Sequence, residues 1–322
     1  MIRWRPTATR ERLQQRAAML AATRHFFAER GVLEVQTPSL VEATVTDVHL
    51  DPIEVVVGAG RPTRFVHTSP EYAMKRLLAA GSGDIYQICP VARADERSRL
   101  HNPEFTMVEW YRSLDFEVLI REVAALLDVL MAATGARTRP LVLRRYAKAF
   151  EDFFGVDPLK ASDAELAALA AARGLADSTL AAGTRDEYLD FLVGAHLGPT
   201  LGQGQWLALT HYPASQAALA ELDAQDPRVA LRFELYADGV ELANGFRELG
   251  SAREQRVRFE SDNRERRRRG KPERALDERL LAALEAGLPP CSGVALGFDR
   301  CVMLATGARQ LDEVVAFPWE IA

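Results

Sequence analysis

The chain has 322 residues, of which 48% are hydrophobic and 26% are charged, and its formal net charge is −5. These proportions are ordinary for a globular protein with one large domain or two modest ones. The negative charge argues against a protein whose main partner is nucleic acid, because such proteins usually carry a basic face.

Cysteine spacing and hydropathy further limit the class of protein to which the chain can belong. Cys89, Cys291 and Cys301 share no short repeated spacing, so the sequence indicates neither a zinc site nor a disulfide framework. Reduced thiols are typical of cytoplasmic proteins. No stretch approaches 18 apolar residues, and the arginine-rich start lacks the apolar run of a signal peptide. We therefore expect a cytoplasmic protein without a membrane segment.

The first predicted elements are a long helix and a short strand. Apolar residues recur at helical spacing over 10–30, and Gly31 follows as a helix stop. Residues 32–35 then predict a strand, and the alternation over 41–57 predicts further strands ending in a glycine-rich turn.

Residues 65–91 predict a strand, a helix and a second strand. Ser69 is a plausible N-cap, with Pro70 at the first position of a helix over 72–80. Glu71 is favoured there by the helix dipole alone, so its position by itself does not indicate a site. A strand is expected over 85–91.

The densest polar stretch is RADERSRLHNPEFTMVEWYR, over 93–112. If its second half is a strand, alternation places Phe105, Glu109 and Tyr111 on one face. Phe105 offers a ring on which a base can stack, and Arg93 offers a planar fork for a phosphate. Glu109 and Tyr111 form an acceptor pair for a cationic amine. The alternative is a charged hairpin whose aromatic residues belong to the core.

The region over about 115–200 is mostly helical in pattern, with a capping box at Ser162 to Glu165.

Residues 232–248 predict a hairpin turning at Asp238 and Gly239. Glu234 and Glu241 are then expected to face each other across the strand pair. Two close carboxylates repel unless a cation lies between them, and Mg²⁺ carried by a nucleotide prefers one or two protein carboxylates. The alternative is a pair of solvated edge residues.

Two further segments carry a pattern. Residues 264–274 hold seven cations, which indicate a solvated helix face or a docking surface for an acidic partner. Residues 291–300 form a glycine-rich strand leading into an apolar helix. Gly293 and Gly297 would let the backbone approach a ligand closely, or would serve packing, and Arg300 opens the helix.

The segment over 93–112 resembles motif 2 of the class II aminoacyl-tRNA synthetases, in particular the lysyl branch, whose pattern is RNE, a short loop and RHNPEFTM.E.Y. The core NPEFTM is intact here. Ala94 and Asp95 replace the family's Asn-Glu, and Glu96 follows. Since that Glu contacts the adenine amino group in the family, either Asp95 or Glu96 is expected to take its place.

Other segments extend the resemblance over 10–322. The sequence TSPE, ending at Glu71, is similar to the SPE that holds the substrate amine in the lysyl branch. GVELANGFRE, over 239–248, is similar to its magnesium and ATP motif. GVALGFDR resembles motif 3, whose arginine, here Arg300, holds the γ-phosphate of ATP. The helix and strand over 10–38 resemble motif 1, which builds the family's dimer interface.

The resemblance implies an α+β fold, with an antiparallel sheet flanked by helices, in a homodimer. It also implies one catalytic domain over 1–322, with a helical insertion at about 115–200. The implied catalytic residues are Arg93 and Arg300, and the implied metal ligands are Glu234 and Glu241. The implied ATP-binding residues are Arg93, Ala94, Asp95, His101, Asn102, Phe105, Glu241, Leu242, Gly297 and Arg300. The implied substrate-binding residues are Ser69, Pro70, Glu71, Glu109, Tyr111, Asn244, Glu248 and Ala295.

Three sequence differences from the lysyl branch indicate which molecule receives the activated amino acid. Ala295 stands where these synthetases have Gly, PASQAALA over 213–220 replaces their usual continuation, and no anticodon-binding domain is expected ahead of motif 1. With these departures the chain resembles the ligases that activate (R)-β-lysine with ATP and join it to a lysine of elongation factor P. Two alternatives stay open, namely a truncated lysyl-tRNA synthetase and a non-catalytic regulatory subunit. Binding of tRNA is not expected.

Overall fold

The computed structural model describes residues 4–58, 60–94, 96–176 and 183–322. The helices, in chain order, are α1 (Arg10–Glu29), α2 (Glu71–Ala79), α3 (Phe116–Ala132), α4 (Tyr146–Phe154), α5 (Asp163–Ala172), α6 (Arg185–Leu192), α7 (Ala252–Arg268), α8 (Glu278–Gly287) and α9 (Phe298–Thr306). The strands are β1 (Leu33–Glu34), β2 (Leu40–Val41), β3 (Glu54–Val55), β4 (Arg64–Val66), β5 (Ile85–Ala92), β6 (Glu104–Arg112), β7 (Leu141–Arg145), β8 (Trp206–Pro213), β9 (Val229–Ala237), β10 (Val240–Arg247) and β11 (Ser292–Gly297).

The chain divides into two compact units. The first comprises Met1–Thr138 and Glu248–Ala322, and the second comprises Arg139–Arg247. Antiparallel pairing dominates the strands of both units. The predicted α+β class is confirmed.

Strands β5 and β6 are the centre of the strand pairing in the first unit. Strand β6 pairs antiparallel with β5 and β11, and β1 adds to β5 in parallel. Phe27 of α1 stacks on Tyr86 with a ring-centre distance of 4.3 Å and also contacts Trp110. Because neighbouring residues of a strand point to opposite faces, this helix covers the face that does not carry Glu109.

Helix α1 begins and ends where the sequence predicts. Thr9 is the N-cap and accepts a hydrogen bond from the Arg12 backbone amide, and Gly31 beyond the C-terminus has φ of 66°. Helices α1, α3 and α9 pack against one another. Since α3 is apolar on most of its surface, this packing buries Leu119, Leu126 and Leu130 completely.

The strands predicted over 41–57 form, but they are only two residues long each. They are β2 and β3, and both pair with β4. The carbonyls of Asp47 and Val48 accept hydrogen bonds from the side chains of Arg266 and Lys271. Because side chains satisfy these backbone groups, the segment needs no strand partner at this point.

The second unit contains β7 to β10 and a hydrophobic core of its own. Strands β8, β9 and β10 are antiparallel neighbours, and β7 pairs with β8 in parallel, so the region expected to be helical contains a strand. The predicted capping box at Ser162 and Glu165 opens α5. The predicted hairpin turn has left-handed φ angles at Asp238 and Gly239. A β-carbon on Gly239 would lie 2.5 Å from the Pro199 carbonyl oxygen, so glycine is required there.

No helix among the residues that the structure covers combines the length and the apolar character needed to cross a membrane.

Candidate active site

The centre of the candidate site, in the first unit, is the Glu109 carboxylate on β6. Ser69 Oγ donates a 2.8 Å hydrogen bond to Glu109 Oε2, and Tyr111 Oη donates one of 2.7 Å to Oε1. Ser69 Oγ also accepts a bond from the Glu71 amide. The N-cap position of α2 is Pro70, one residue later than predicted, but the predicted side-chain cap by Ser69 is present in its bond from the Glu71 amide. The Ser69 hydroxyl also links the start of α2 to β6.

Lys75 joins two further carboxylates of the cluster. Its Nζ lies 2.7 Å from Glu71 Oε1 and 2.5 Å from Glu248 Oε2, and its side chain is only 1% exposed. Sequence reasoning missed Lys75. The one local indication was its i,i+4 spacing from Glu71, which is also common on solvated helices. Glu248 is anchored by its amide, which donates to the Cys291 carbonyl just before β11.

Burial controls the charges of this cluster. Desolvation of Glu109, reinforced by the negative charge of Glu71, raises its pKa to about 8 against the hydrogen bonds from Tyr111 and Ser69. Desolvation opposes the charge on Lys75, but the Glu248 and Glu71 carboxylates outweigh it and raise the Lys75 pKa. The site therefore holds a permanent internal ammonium beside a carboxyl group that titrates near neutral pH.

Strand β11 forms a floor of small residues beside this cluster. Gly293 lies opposite Tyr111 and Ala295 lies opposite Glu109. A β-carbon on Gly293 would be 2.3 Å from the Tyr111 ring and 2.4 Å from Glu248 Oε1. Glycine at this position is therefore required by the side chains of the cluster. The Ala295 methyl projects on the same face as Glu109.

A cavity of about 250 Å³ adjoins the cluster. Ser69, Pro70 and Glu71 form part of its wall, and the rest of the lining comprises other residues of 38–45 and 67–73 together with Arg64, Arg76, Asp277 and Arg279. Of the predicted substrate-binding residues, the first unit thus brings together Ser69, Pro70, Glu71, Glu109, Tyr111, Glu248 and Ala295.

Arg93 and Phe105 form the start of the predicted nucleotide site. The Arg93 guanidinium carbon lies 5.1 Å from the centre of the Phe105 ring, and Arg93 Nη1 lies 3.5 Å from Glu96 Oε1. Arg93 Nε is buried and has no hydrogen-bond partner within the described part of the chain. An unmatched buried donor fits an anionic ligand, because leaving it unpaired is costly. The Ala94 amide donates to the Asp51 carbonyl at 2.7 Å, and Asp95 lies outside the described residues.

Arg300, in the first turn of α9, contacts His101. Arg300 Nη2 lies 2.6 Å from His101 Nε2, and His101 Nδ1 lies 2.7 Å from Ser98 Oγ. A guanidinium can only donate, so Nε2 accepts and Nδ1 carries the imidazole proton. Burial, together with the Arg300 charge, lowers the His101 pKa, which favours this neutral form.

Asn102 and Gly297 occupy the neighbouring predicted positions. Asn102 Oδ1 accepts from the Trp319 amide and Nδ2 donates to the Glu104 carbonyl, so its side chain holds the backbone of this region together. Gly297 lies opposite Met107 at the end of β11, directly before α9.

The second unit carries the predicted metal ligands. Glu234 does not lie directly opposite Glu241, contrary to expectation: Tyr236 is opposite Glu241, and Asn244 is opposite Glu234. The register shifts at Leu242, which is buried. Glu234 accepts 2.6 Å bonds from Arg232 and the Tyr236 hydroxyl.

These side chains retain capacity for a ligand. Each oxygen of Glu234 has a second lone pair beyond those bonds. Asn244 Oδ1 is buried without a hydrogen-bond partner among the residues described. Clusters of three or more metal-ligating side chains are absent from the described ranges, so a cation would depend on two carboxylates and the oxygens of its own ligand.

Part of the cationic run over 264–274 has a structural role, and its interpretation as a docking surface stays a prediction. Arg266 is 0% exposed and bonds the Asp47 and Pro272 carbonyls and the Asp51 carboxylate. Lys271 and Arg274 also pair with Asp51. These cations therefore neutralise carboxylates of their own chain.

The fold and the buried carboxylate cluster agree with the comparisons to known proteins. Residues 1–320 match the class II tRNA synthetases (D, K and N), and the chain belongs to this family. It is 49% identical to the elongation factor P–(R)-β-lysine ligase of Yersinia pestis (strain Pestoides F), over 99% of this chain and 98% of that protein. The protein with the same name in Klebsiella pneumoniae (strain 342) is also 49% identical, over 98% and 97% of the two chains. The resemblance predicted from the motifs is confirmed.

Proposed function

We propose that the protein is a ligase that activates (R)-β-lysine, or lysine, with ATP and transfers it to the ε-amino group of a lysine on elongation factor P. The observation that carries this proposal is the buried cluster of Glu71, Glu109 and Glu248, because three carboxylates around one small space fit a substrate with ammonium groups. Relatives that share almost the whole length and carry the ligase name support the choice of acceptor.

The chemistry has two balanced steps. A carboxylate oxygen of the amino acid attacks the α-phosphorus of ATP, and diphosphate leaves with the electrons of the broken P–O bond. The acceptor amine then attacks the carbonyl of the mixed anhydride, and AMP leaves with the electrons of the broken C–O bond. The nitrogen releases a proton to the solvent, which leaves the neutral amide. Arg93 stabilises the charge at the reacting phosphate, Arg300 holds the γ-phosphate, and Phe105 stacks on the adenine.

Glu241 and Glu234 are the residues that would hold Mg²⁺. Arg232 pairs with Glu234 and already neutralises part of its charge. The ion supplies charge neutralisation for the triphosphate and diphosphate oxygens when bound.

Two alternatives differ in the acceptor or in the chemistry itself. A tRNA-charging enzyme would use the same activation step, and a regulatory subunit would lack it. The presence of both motif arginines and both candidate metal carboxylates supports an active enzyme. We further propose a cytoplasmic homodimer formed through residues 10–38, which sedimentation velocity can test.

The activation step is tested by exchange of labelled diphosphate into ATP. Exchange should require Mg²⁺ and a lysine-like amino acid, and Arg93→Ala should reduce it by at least about 100-fold, since removing a charge-assisted contact to the reacting group typically costs several kcal/mol. Arg97→Ala is the matched control, because Arg97 is exposed and pairs with Glu320 near the C-terminus. Exchange that survives in Arg93→Ala would remove the assigned role of Arg93.

The acceptor is tested by intact-mass spectrometry of elongation factor P after incubation with enzyme, ATP and (R)-β-lysine. A parallel reaction offers tRNA and lysine. We expect a single aminoacyl addition to the protein and no charged tRNA. Charged tRNA together with an unmodified protein acceptor would support the tRNA-charging alternative.

A further inference from the structure

We infer that Lys75 is a positioning residue whose buried ammonium is the built-in counter-ion of the amine-binding cluster, and that it fixes the cluster's charge to match a diamino substrate. This inference rests on the proposed function and concerns the same cluster. The protein itself supplies one cation to this cluster, namely Lys75. It forms ion pairs with Glu71 and Glu248, which lie far apart in the sequence.

The geometry excludes an ordinary surface ion pair. The side chains of Lys75 and Glu248 are each 1% exposed, and that of Glu71 is 13% exposed. Two buried carboxylates held this close would repel each other strongly without a cation, because little water screens them. Lys75 therefore determines where both carboxylates lie, which a solvated helix pair could not do.

The net charge of the cluster favours a substrate with two ammonium groups. Lys75, Glu71 and Glu248 together carry one net negative charge, and an ionised Glu109 adds a second. A diamino acid brings two ammonium groups, so the cluster and the two groups neutralise each other. An amino acid with one ammonium group would leave a buried carboxylate uncompensated, which disfavours its binding.

Tyr111 and Ser69 hold the carboxylates of the cluster in fixed positions. Tyr111 bonds Glu109, and its ring, together with Glu248, fills the space above Gly293. Ser69 bonds both Glu109 and the Glu71 amide. A carboxylate that moved after loss of Lys75 would therefore disturb the whole cluster, while Arg93 and Phe105 belong to a separate group of contacts.

The test is a double-mutant cycle of Lys75→Met and Glu71→Gln. Lys75→Met should raise the KM for (R)-β-lysine and for lysine at least about tenfold in diphosphate exchange, and should change the KM for ATP less than about twofold. Adding Glu71→Gln removes one carboxylate and restores the net charge. The KM of the double variant for the amino acid should therefore be at least about tenfold lower than the product of the two single effects predicts. The reason is that substitutions within one ionic network do not have additive effects.

Thermal unfolding of the same four proteins gives a readout that needs no activity. Lys75→Met should lower the midpoint, and Glu71→Gln should restore part of that loss when added. If Lys75→Met alone does not fold, the double variant should fold. Lys75→Arg should fold and lie between wild type and Lys75→Met in its KM for the amino acid, since a guanidinium can also bridge two carboxylates.

Lys148→Met is the matched control. Lys148 also pairs with two carboxylates, of Glu151 and Asp152, but it is 63% exposed. Its loss should change neither KM nor the midpoint measurably. Additive effects of Lys75→Met and Glu71→Gln on both KM and the midpoint would overturn the inference, as would equal increases in the KM for ATP and for the amino acid. A wild-type protein that activates no diamino acid, yet shows a non-additive thermal cycle, would refute the proposed function and leave the counter-ion role standing.

Discussion

At the scale of single residues, Glu109 links substrate binding to pH. Its pKa is raised from 4.5 to about 8, chiefly by burial, with Glu71 and Glu248 adding repulsion and Tyr111 and Ser69 opposing it. Between these two values the folded protein holds a proton that the unfolded chain does not. Stability of the ligand-free protein should therefore fall as pH rises through this window.

Binding of the amino acid should show the opposite pH dependence. A substrate ammonium beside Glu109 favours the ionised carboxylate, and a lysine ammonium with an ordinary pKa of about 10.4 stays charged throughout. Affinity measured by calorimetry should rise from pH 6 to pH 8, by up to about tenfold per unit, and then level off. Glu109→Gln should bind weakly at every pH and lose the slope. A flat profile for the wild type would contradict the raised pKa.

Gly293 offers a steric prediction at the same scale. Gly293→Ala should push the methyl group against the Tyr111 ring and the Glu248 carboxylate, raising the KM for the amino acid and lowering the free energy of unfolding by about 1–3 kcal/mol. Gly250→Ala is the control, because its nearest neighbour would be 3.9 Å away. Urea unfolding and exchange kinetics measure both effects. Equal behaviour of the two variants would show that the strand moves to accommodate the methyl.

At the scale of elements, the end of α7 anchors the loop that ends at β3. Three cations, Arg266, Lys271 and Arg274, meet the Asp51 carboxylate. Burial acts to raise the Asp51 pKa, but hydrogen bonds from Arg266 and Lys271 outweigh it and hold the pKa at about 2. The Asp51 carbonyl in turn accepts from Ala94, which connects this loop with the start of motif 2.

Arg266→Ala should therefore be a stability variant. It removes a buried cation and leaves the Asp47 and Pro272 carbonyls without their donor, so we expect a loss of about 3 kcal/mol or more in the free energy of unfolding. Arg267→Ala is the control, since Arg267 is 68% exposed and pairs with Glu273; it should cost less than about 1 kcal/mol. Urea denaturation compares them. A loss below that of Arg267→Ala would contradict the anchoring role.

At the scale of the whole molecule, the three thiols of the chain are shielded from solvent. Cys89, Cys291 and Cys301 are all buried, and none forms a disulfide within the described ranges. Burial raises the pKa of the Cys89 thiol to about 12, and burial together with Asp299 raises that of Cys301. Such thiols are poor nucleophiles, because the thiolate is the reactive form.

The native protein should therefore react slowly with an aromatic disulfide dye. All three thiols should become reactive in concentrated guanidinium chloride, and activity should not depend on added reductant. Absorbance of the released dye gives the number of reactive thiols in the native and in the denatured protein. A fast-reacting thiol in the native protein would contradict the burial of these side chains.

Local pattern predicted the regular elements well. Helix α1, the alternation of β6, the capping box of α5 and the turn at Asp238 all follow from spacing within a few residues, and all are confirmed. Over 41–57 the strands are shorter than the alternation suggests, because side chains from α7 and the segment after it bond the backbone between them. A hydrogen-bond partner that is distant in sequence cannot be predicted from the residue spacing of the segment itself.

The sequence by itself determined the family, the α+β class and most of the chemical groups at the candidate site, because motif residues and strand alternation are local properties of the chain. Only the tertiary structure decided which charges meet. Lys75 and Arg266 look alike in sequence, as cations on helices with acidic neighbours, yet one bridges the amine-binding carboxylates and the other anchors a loop. The reason is physical: the partners of a buried charge, and the strength of their pairing, depend on which distant segments fold around it and exclude water.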